Sequence, residues 1–545
     1  MLQRSDNYAD LVSRFRWQIP DRFNIGVAVS DAWARKDPNR TALIEYRGTD
    51  VPETLSFGAL ATRSNALANA LRARGVRRGD RVALLLPQSF ETAIAHVAIY
   101  KLGAVALPLA LLFGVEALEY RLQTAGVQAL ITNSAGLAKV SRIGARLPAL
   151  ELIVSVDGQE GAAVGFEPLV AGAPADFEAV DTTPDDPAMM IFTSGTTGPP
   201  KGALHGHSVL LGHLPGLQMA YEFLPQDGDL MWTPADWAWA GGLLNALLPS
   251  LYLGIPVVCA RFEKFDPEAA LLLVERMKVR NAFIPPTALR MLKSVPDIPA
   301  RFSHVLRSVG SAGESLGRET WEWAEGALGL PVNEFYGQTE CNAVIASSAI
   351  IGVSRPGTIG RAVPGHTVAI IDPQGRPMPA GEPGQIAVLR PDPVMFLEYW
   401  DSPEATAKKF IGDWMTTGDQ GIMDGDGYIQ FFGRDDDVIT SAGYRIGPGE
   451  IEDCLVGHPS VALAAAVGKP DPLRTEIVKA YVVLKDGVEP SEALKGEIGA
   501  FVRERLSAHE YPREVEFVDS MPLTTTGKVI RRIFRDRARR EAGLA

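Results

Sequence analysis

The stretch Ala188-Met-Met-Ile-Phe-Thr-Ser-Gly-Thr-Thr-Gly-Pro-Pro-Lys-Gly202 decides how this chain is read. Ala188 to Phe192 is a short apolar run, the pattern of a buried strand. Thr193 to Gly202 is built of small and hydroxylic residues and ends in Lys-Gly. Small residues let a backbone come close to an anion and supply positive φ where a turn needs it. Successive N–H groups with the Ser and Thr hydroxyls can surround phosphate oxygens, and Lys201 adds a mobile positive charge. A surface turn uses the same residue types, but so long an ordered run is more specific than a turn requires. The order is not that of a Walker A loop, because two prolines separate Gly198 from Lys201 and Gly202 follows the lysine.

Outward from this strand, the first half of the chain alternates helical and strand patterns. Leu55 to Arg74 is apolar at helical spacing and stops at Gly75. Asp80 to Pro87 reads as a buried strand, Glu91 to Leu102 as a helix, and Val127 to Thr132 and Leu152 to Val156 as further strands. Such alternation predicts an α/β protein with largely parallel sheets. Leu102 to Val115 is the most apolar stretch, but it is too short to span a bilayer and holds Pro108, so it reads as a buried strand and turn. Gly161 to Pro187, rich in Ala, Gly, Pro and acids, reads as a surface connection. Pro356 to Gly433 is punctuated by turns such as Asp372-Pro-Gln-Gly375 and Asp424-Gly-Asp-Gly427, which predicts a β-rich subdomain. The charged run Arg434-Asp-Asp-Asp437 marks a boundary, and an α+β pattern follows it. The expected organisation is a large domain over 1–433, a hinge over 434–437 and a small C-terminal domain over 438–545.

The 545 residues are 46% hydrophobic and 22% charged, which excludes a disordered chain or a disulfide-stapled miniature. Lys plus Arg is 53 against 65 Asp plus Glu, a net charge of −12. No global basic footprint for nucleic acid or anionic membrane exists, so anionic substrates need a local cluster of donors. Cys259, Cys341 and Cys454 are widely spaced and unpaired in pattern, which argues against a zinc site and suits a reducing compartment. Met1 to Asp10 has no apolar signal core, and the expected location is cytoplasmic.

The run Thr193 to Gly202 resembles the signature loop of AMP-forming acyl-CoA synthetases, in the adenylating superfamily that also holds peptide-synthetase adenylation domains and beetle luciferases. Further segments match in order: Tyr336-Gly-Gln-Thr-Glu340, Thr417-Gly-Asp419, Gly433-Arg-Asp-Asp-Asp-Val-Ile439 with Gly443-Tyr-Arg-Ile446, and Pro522-Leu-Thr-Thr-Thr-Gly-Lys528. Phe15-Arg-Trp-Gln-Ile-Pro20 and Phe23-Asn-Ile-Gly26 resemble the acetyl- and medium-chain acyl-CoA synthetase branch. The resemblance implies a large N-terminal domain of α/β sheets with a β-rich subdomain and a small mobile α+β C-terminal domain. It implies that a carboxylate attacks the α-phosphorus of ATP to give acyl-AMP and pyrophosphate, and that the thiol of coenzyme A then displaces AMP. Carboxylate and triphosphate repel each other, so this chemistry needs cations and fixed donors that hold them in line.

The same resemblance assigns roles. Thr193, Ser194, Gly195, Thr196, Thr197, Gly198 and Lys201 meet the phosphates, with Gly313 and Glu314 also at the nucleotide. Tyr336 stacks on adenine beside Gly337, Thr339 bonds the α-phosphate and Glu340 holds Mg²⁺. Asp419 accepts the ribose hydroxyls, Arg434 contacts ribose or phosphate, and Arg445 serves the phosphate or orders the site. Lys528 is the catalytic lysine, bridging carboxylate and α-phosphate, with Thr339 and Glu340 in the catalytic set. Asp436 is the expected hinge, because Lys528 must leave before coenzyme A can enter, and Gly443 lines the coenzyme A tunnel. The basic run from Arg531 to Arg540 reads as a solvated helix face. The acyl pocket is expected around Trp237, Trp239 and Gly310, for a short, medium-chain or branched acid. A benzoate-type aromatic acid, or an amino acid anchored by Asp236, is the alternative. Cys341-Asn342 departs from many relatives and bears on the pocket's shape. A luciferase-like oxygenase needs an oxidisable luciferin that nothing here demands, and a non-catalytic nucleotide binder would lose Lys528 or Glu340. Pro522 to Lys528 also resembles an acceptor context for reversible lysine acetylation, which makes a lysine acyltransferase or deacylase a candidate partner.

Overall fold

The computed structural model describes residues 1–48, 51–193, 199–262, 264–434, 437–441, 444–472, 474–506, 510–524 and 528–543, with the side chains of 444 and 445 also outside the description. Early helices start where the pattern predicts and for a local reason. Phe57–Ala73 begins behind Ser56, whose hydroxyl accepts from the N–H of Ala59. Phe90–Lys101 begins behind Ser89, which accepts from Thr92. Each hydroxyl satisfies an amide that the first turn leaves unpaired.

Among the described residues the larger lobe contains two sheets with parallel cores. The first has eight strands. Val105–Pro108, Arg81–Leu85, Ala129–Thr132 and Leu152–Ser155 pair in parallel at its centre. β1 (Pro187–Phe192) joins Val105–Pro108 in parallel, and β2 (Gly202–Gly206) returns antiparallel to β1. The two strands are antiparallel neighbours, and Thr193 N–H donates to the Lys201 carbonyl at 2.9 Å. Residues 161–187 are not a bare connection. They contain the strand Val164–Gly165 and the helix Phe166–Ala171, which buries Phe166, Leu169 and Val170. That apolar triplet has helical spacing, masked in the sequence by its Ala, Gly and Pro surroundings.

The second sheet has nine strands. Thr41–Tyr46, Val257–Ala260, Met231–Trp232, Asn281–Phe283, Ser308–Ser311 and β3 (Val332–Gln338) are its parallel members. α1 (Pro286–Leu292) and α2 (Arg318–Leu328) follow two of these strands. β3 thus carries the Tyr336 motif at its carboxyl end, where open α/β sheets take ligands.

The turn-rich region forms the expected β-rich unit, and its sheet is antiparallel. Its β4 (Trp414–Met423) and β5 (Ile429–Arg434) pair so that Asp419 stands opposite Arg434. Beyond β5 a separate five-stranded sheet runs from Ile439–Ser441 to Glu514–Phe517. α3 (Pro448–Val456), the helix Glu492–Arg505 and α4 (Arg531–Glu541) accompany it. Ile451, Leu455, Val478, Ile498 and Val502 make a core distinct from that of the larger lobe. Among the described residues no helix is long and apolar enough to cross a membrane.

Candidate active site

A cavity of about 2420 Å³ lies between the lobes. Thr193, Lys201, Gly313, Glu314, Tyr336, Gly337, Thr339, Glu340, Asp419, Arg434 and Lys528 all line it. The structure therefore brings together every one of these expected residues, drawn from segments far apart in the chain. Ser194, Gly195, Thr196, Thr197, Gly198, Asp436, Gly443 and the side chain of Arg445 lie outside the described residues.

One wall is built around Tyr336 and Asp419. The hydroxyl of Tyr336, at the end of β3, donates to Asp419 Oδ2 at 2.5 Å. Arg434 Nη1 stands 3.9 Å from the other carboxylate oxygen. Burial raises the Asp419 pKa, and Arg434 opposes that shift by favouring the charge. The ring of Tyr336 leans towards Phe431 at 6.4 Å and 40°. Gln338 fixes the motif to β4 by donating to the Thr417 carbonyl at 2.9 Å.

A second wall joins two motifs through residues that the sequence did not single out. Glu340 is buried and accepts from the Tyr399 hydroxyl. The ring of Tyr399 lies 5.4 Å from Lys201 Nζ. Lys409 Nζ donates to Gln338 Oε1 at 2.6 Å, and burial lowers its pKa while Glu340 nearby favours its charge. Tyr399, Lys409 and Phe431 stand in ordinary turn and strand sequence, and no local pattern marks them as functional.

Lys528 arrives from the other lobe. Its Nζ is 4.0 Å from where a Cβ on Gly313 would stand, and Gly313 has a φ of +100°, a conformation natural to glycine. Lys528 as a residue is exposed in the cleft. The surrounding walls lower its pKa, while Glu314 and Asp419 favour its charge. Glu314 is held by Thr287 and by Arg290 of α1 at 2.5 Å. Thr524 brackets the lysine segment, accepting from Lys528 N–H at 3.0 Å and donating to its carbonyl at 2.7 Å. The basic helix that follows is not simply solvated. Arg531 pairs with Glu452 at 2.5 Å and with Asp437 at 3.5 Å, and Arg535 also pairs with Asp437. Its partner acids are far away in sequence, which is why the run alone reads as a free charged face.

The acyl-pocket candidates Trp237, Trp239 and Gly310 do not line this cavity. Trp237 is buried, and Trp239 meets Phe113 edge-on at 5.5 Å. A Cβ at Gly310 would stand 2.6 Å from Tyr221 Cε1 and 3.0 Å from Phe335 Cε1. Of this group Phe335 reaches the large cavity. Asn342 donates to Asn245 at 2.8 Å in a buried amide pair.

Residues 30–400 match the family model described as AMP-binding enzyme, and residues 450–528 match the AMP-binding enzyme C-terminal domain. The chain is 34% identical over 542 residues to the mitochondrial acyl-coenzyme A synthetase ACSM4 of Rattus norvegicus, covering 97% of this chain and 92% of that protein. It is 31% identical over 545 residues to the acetyl-coenzyme A synthetase of Bacillus subtilis (strain 168), covering 97% and 94%. Its structure is similar to that of the anthranilate CoA ligase AuaEII in complex with anthranoyl-AMP, with a TM-score of 0.88 at 30% identity, covering 96% of this chain and 99% of the other. The chain belongs to the AMP-binding enzyme family. It is an AMP-forming acid–CoA ligase: ATP and a carboxylic acid give acyl-AMP and pyrophosphate, and coenzyme A then takes the acyl group and releases AMP.

Proposed function

We propose that this ligase activates a compact uncharged acid, short, medium-chain or branched, and that Lys528 drives the adenylation step. The observation that carries this reading is the lysine of the smaller lobe seated beside Gly313, Glu314 and Asp419. The ring of Tyr336, with Phe431 tilted beside it, supports stacking on adenine, and Asp419 beside Arg434 offers the ribose hydroxyls a carboxylate. Lys201 and the loop from Thr193 meet the phosphates. The acid's oxygen attacks the α-phosphorus, the bond to pyrophosphate breaks, and negative charge collects where the Lys528 ammonium stands. Thr339 holds the α-phosphate in line. Lys528 then withdraws about a hinge at 434–437, with Asp436 its pivot. Coenzyme A enters past Gly443, its sulfur attacks the acyl carbon, and AMP leaves with the electron pair.

The residues fit a Mg²⁺ ion that travels with ATP. Among the described residues no cluster of His, Cys, Asp or Glu forms an all-protein cage. Glu340 supplies one carboxylate at the cleft wall, the usual protein share of a site completed by phosphate oxygens. Such an ion, when bound, offsets triphosphate charge.

The rings of Tyr221 and Phe335 close in on Gly310, and Trp237 and Trp239 add bulk, which supports a small acyl chamber. A second reading, a benzoate-type acid, is supported by the likeness to an anthranilate CoA ligase. Asp236 supports amino-acid activation less well, since its buried carboxylate is already engaged by Ala238 N–H at 3.0 Å. Three free, buried thiols support a reducing compartment, in our reading the cytoplasm. The exposure of Lys528 as a residue supports its modification by a lysine acyltransferase.

The test is pyrophosphate release with ATP, Mg²⁺ and a panel of aliphatic, aromatic and amino acids, followed by thioester detection. Branched or medium-chain acids are expected to lead. Preference for benzoates selects the second reading, and release of ADP in place of AMP refutes the assignment.

A further inference from the structure

The two lobes share a helix cap. α2 of the larger lobe starts behind Gly317, which has no side chain to cap it. The missing acceptor comes from the smaller lobe. Asp453 on α3 brings Oδ2 to 3.4 Å from Glu319 N–H, in the first turn of α2. Gly317 vacates the space this needs: a Cβ there would stand 2.1 Å from Asp453 Oδ1 and 2.4 Å from its Cγ. Its φ of +76° is also one that side-chain-bearing residues rarely adopt. Both ends of α3 approach the larger lobe. A Cβ at Gly449 would lie 4.0 Å from Ser315 Cβ, and one at Gly457 would lie 2.7 Å from Glu319 Oε1. Burial pushes the Asp453 carboxyl up to about 6, with Arg290 and the first-turn amides favouring its charge. The neighbouring Glu452 faces its own lobe, accepting from Ala466 N–H at 2.9 Å and binding Arg531, which follows closely after Lys528. Adjacent carboxylates on one helix thus brace the lysine segment to the lobe and the lobe to α2.

We propose that Asp453 is a positioning residue for the first half-reaction: by capping α2 across the interface it holds the smaller lobe in the orientation that seats Lys528. This rests on the role given to Lys528 above. The test uses the full chain carrying Ser315→Cys and Gly449→Cys. A Cβ separation of 4.0 Å falls within the range of about 3.5–4.5 Å that disulfides adopt, and the native thiols are buried. The rate of disulfide formation without substrates then reports how often the lobes meet. Adding Asp453→Ala is expected to slow it about tenfold, the effect of losing a charged cap, while Asp453→Asn keeps an acceptor and stays within about threefold. In the single Asp453→Ala variant, pyrophosphate release falls by a similar factor, and thioester formation from preformed acyl-adenylate is retained. Gly317→Ala places a methyl group in the carboxylate's space and is expected to slow crosslinking likewise. Unchanged crosslinking in Asp453→Ala at an unchanged melting temperature overturns the proposal, as do equal losses in both half-reactions. Crosslinking needs no turnover, so failure of the reaction assignment shows separately, as a parent enzyme that releases no pyrophosphate with any acid.

Discussion

Lys528→Gln removes the ammonium charge, shortens the side chain by one bond and keeps a hydrogen-bond donor. A unit charge 4 Å from oxygens that gain negative charge is worth about 1 kcal/mol in water and about 4 kcal/mol at an effective dielectric of about 20. The ammonium stands among cleft walls that lower its pKa, yet Lys528 as a residue is exposed, so it falls between these limits. A loss of about 2–4 kcal/mol corresponds to about 30- to 900-fold in rate. Rapid-quench measurement of pyrophosphate release is expected to show that deficit, while thioester formation from preformed acyl-adenylate stays within about twofold of the parent. Lys528→Arg restores the charge on a wider, planar group and is expected to recover little. Equal deficits in the two half-reactions, or less than about a threefold loss in the first, would refute the reasoning.

The lowered Lys528 pKa sets a pH dependence: adenylation needs the charged form, so its rate declines as pH rises through a value below the usual lysine range of about 10.4, and Lys528→Gln flattens that limb. Glu334 on β3, bonded to Leu316 N–H at 3.0 Å, is pushed up to about 8 by burial, with Asp453 adding to the shift. Its pKa is raised on folding, so stability falls as pH rises from about 4.3 through 8. Glu334→Gln is therefore expected to melt higher than the parent above pH 8 and alongside it near pH 5, and a pH-independent difference would count against this. Gly310→Ala forces a methyl group against Tyr221 and Phe335, and overpacking of this kind costs about 1–3 kcal/mol. A lower melting temperature with selectivity shifted towards smaller acids is the expected result, and unchanged selectivity would remove Gly310 from the acyl chamber.

Residues that chemistry confines to an ordered string were legible in the sequence. Thr193, Tyr336, Glu340, Asp419 and Lys528 stand in short runs of unusual composition, and the fold delivers all of them to one cleft. Tertiary partners were not legible. The Tyr336–Asp419 bond joins residues 83 apart, and nothing near Tyr399 or Lys409 announces the wall they build around Glu340. Arg531 and Arg535 misled for the same reason, since a charge run shows its sign and not the distant Glu452 and Asp437 that neutralise it. The helix Phe166–Ala171 escaped notice because a single buried turn carries too few apolar positions to stand out from a Gly- and Pro-rich background.

The pairings of Arg531 with Glu452 and of Arg535 with Asp437 lie on the same side of the interface as Lys528 or at its border. Hybrid ligases made by grafting this lobe onto a sister enzyme would inherit a catalytic arm that needs no re-fitting. Their success would turn on the recipient offering a naked backbone position to the incoming acid of α3, as Gly317 does here. In this architecture, compatibility between halves of such hybrids includes one carboxylate meeting one absent side chain.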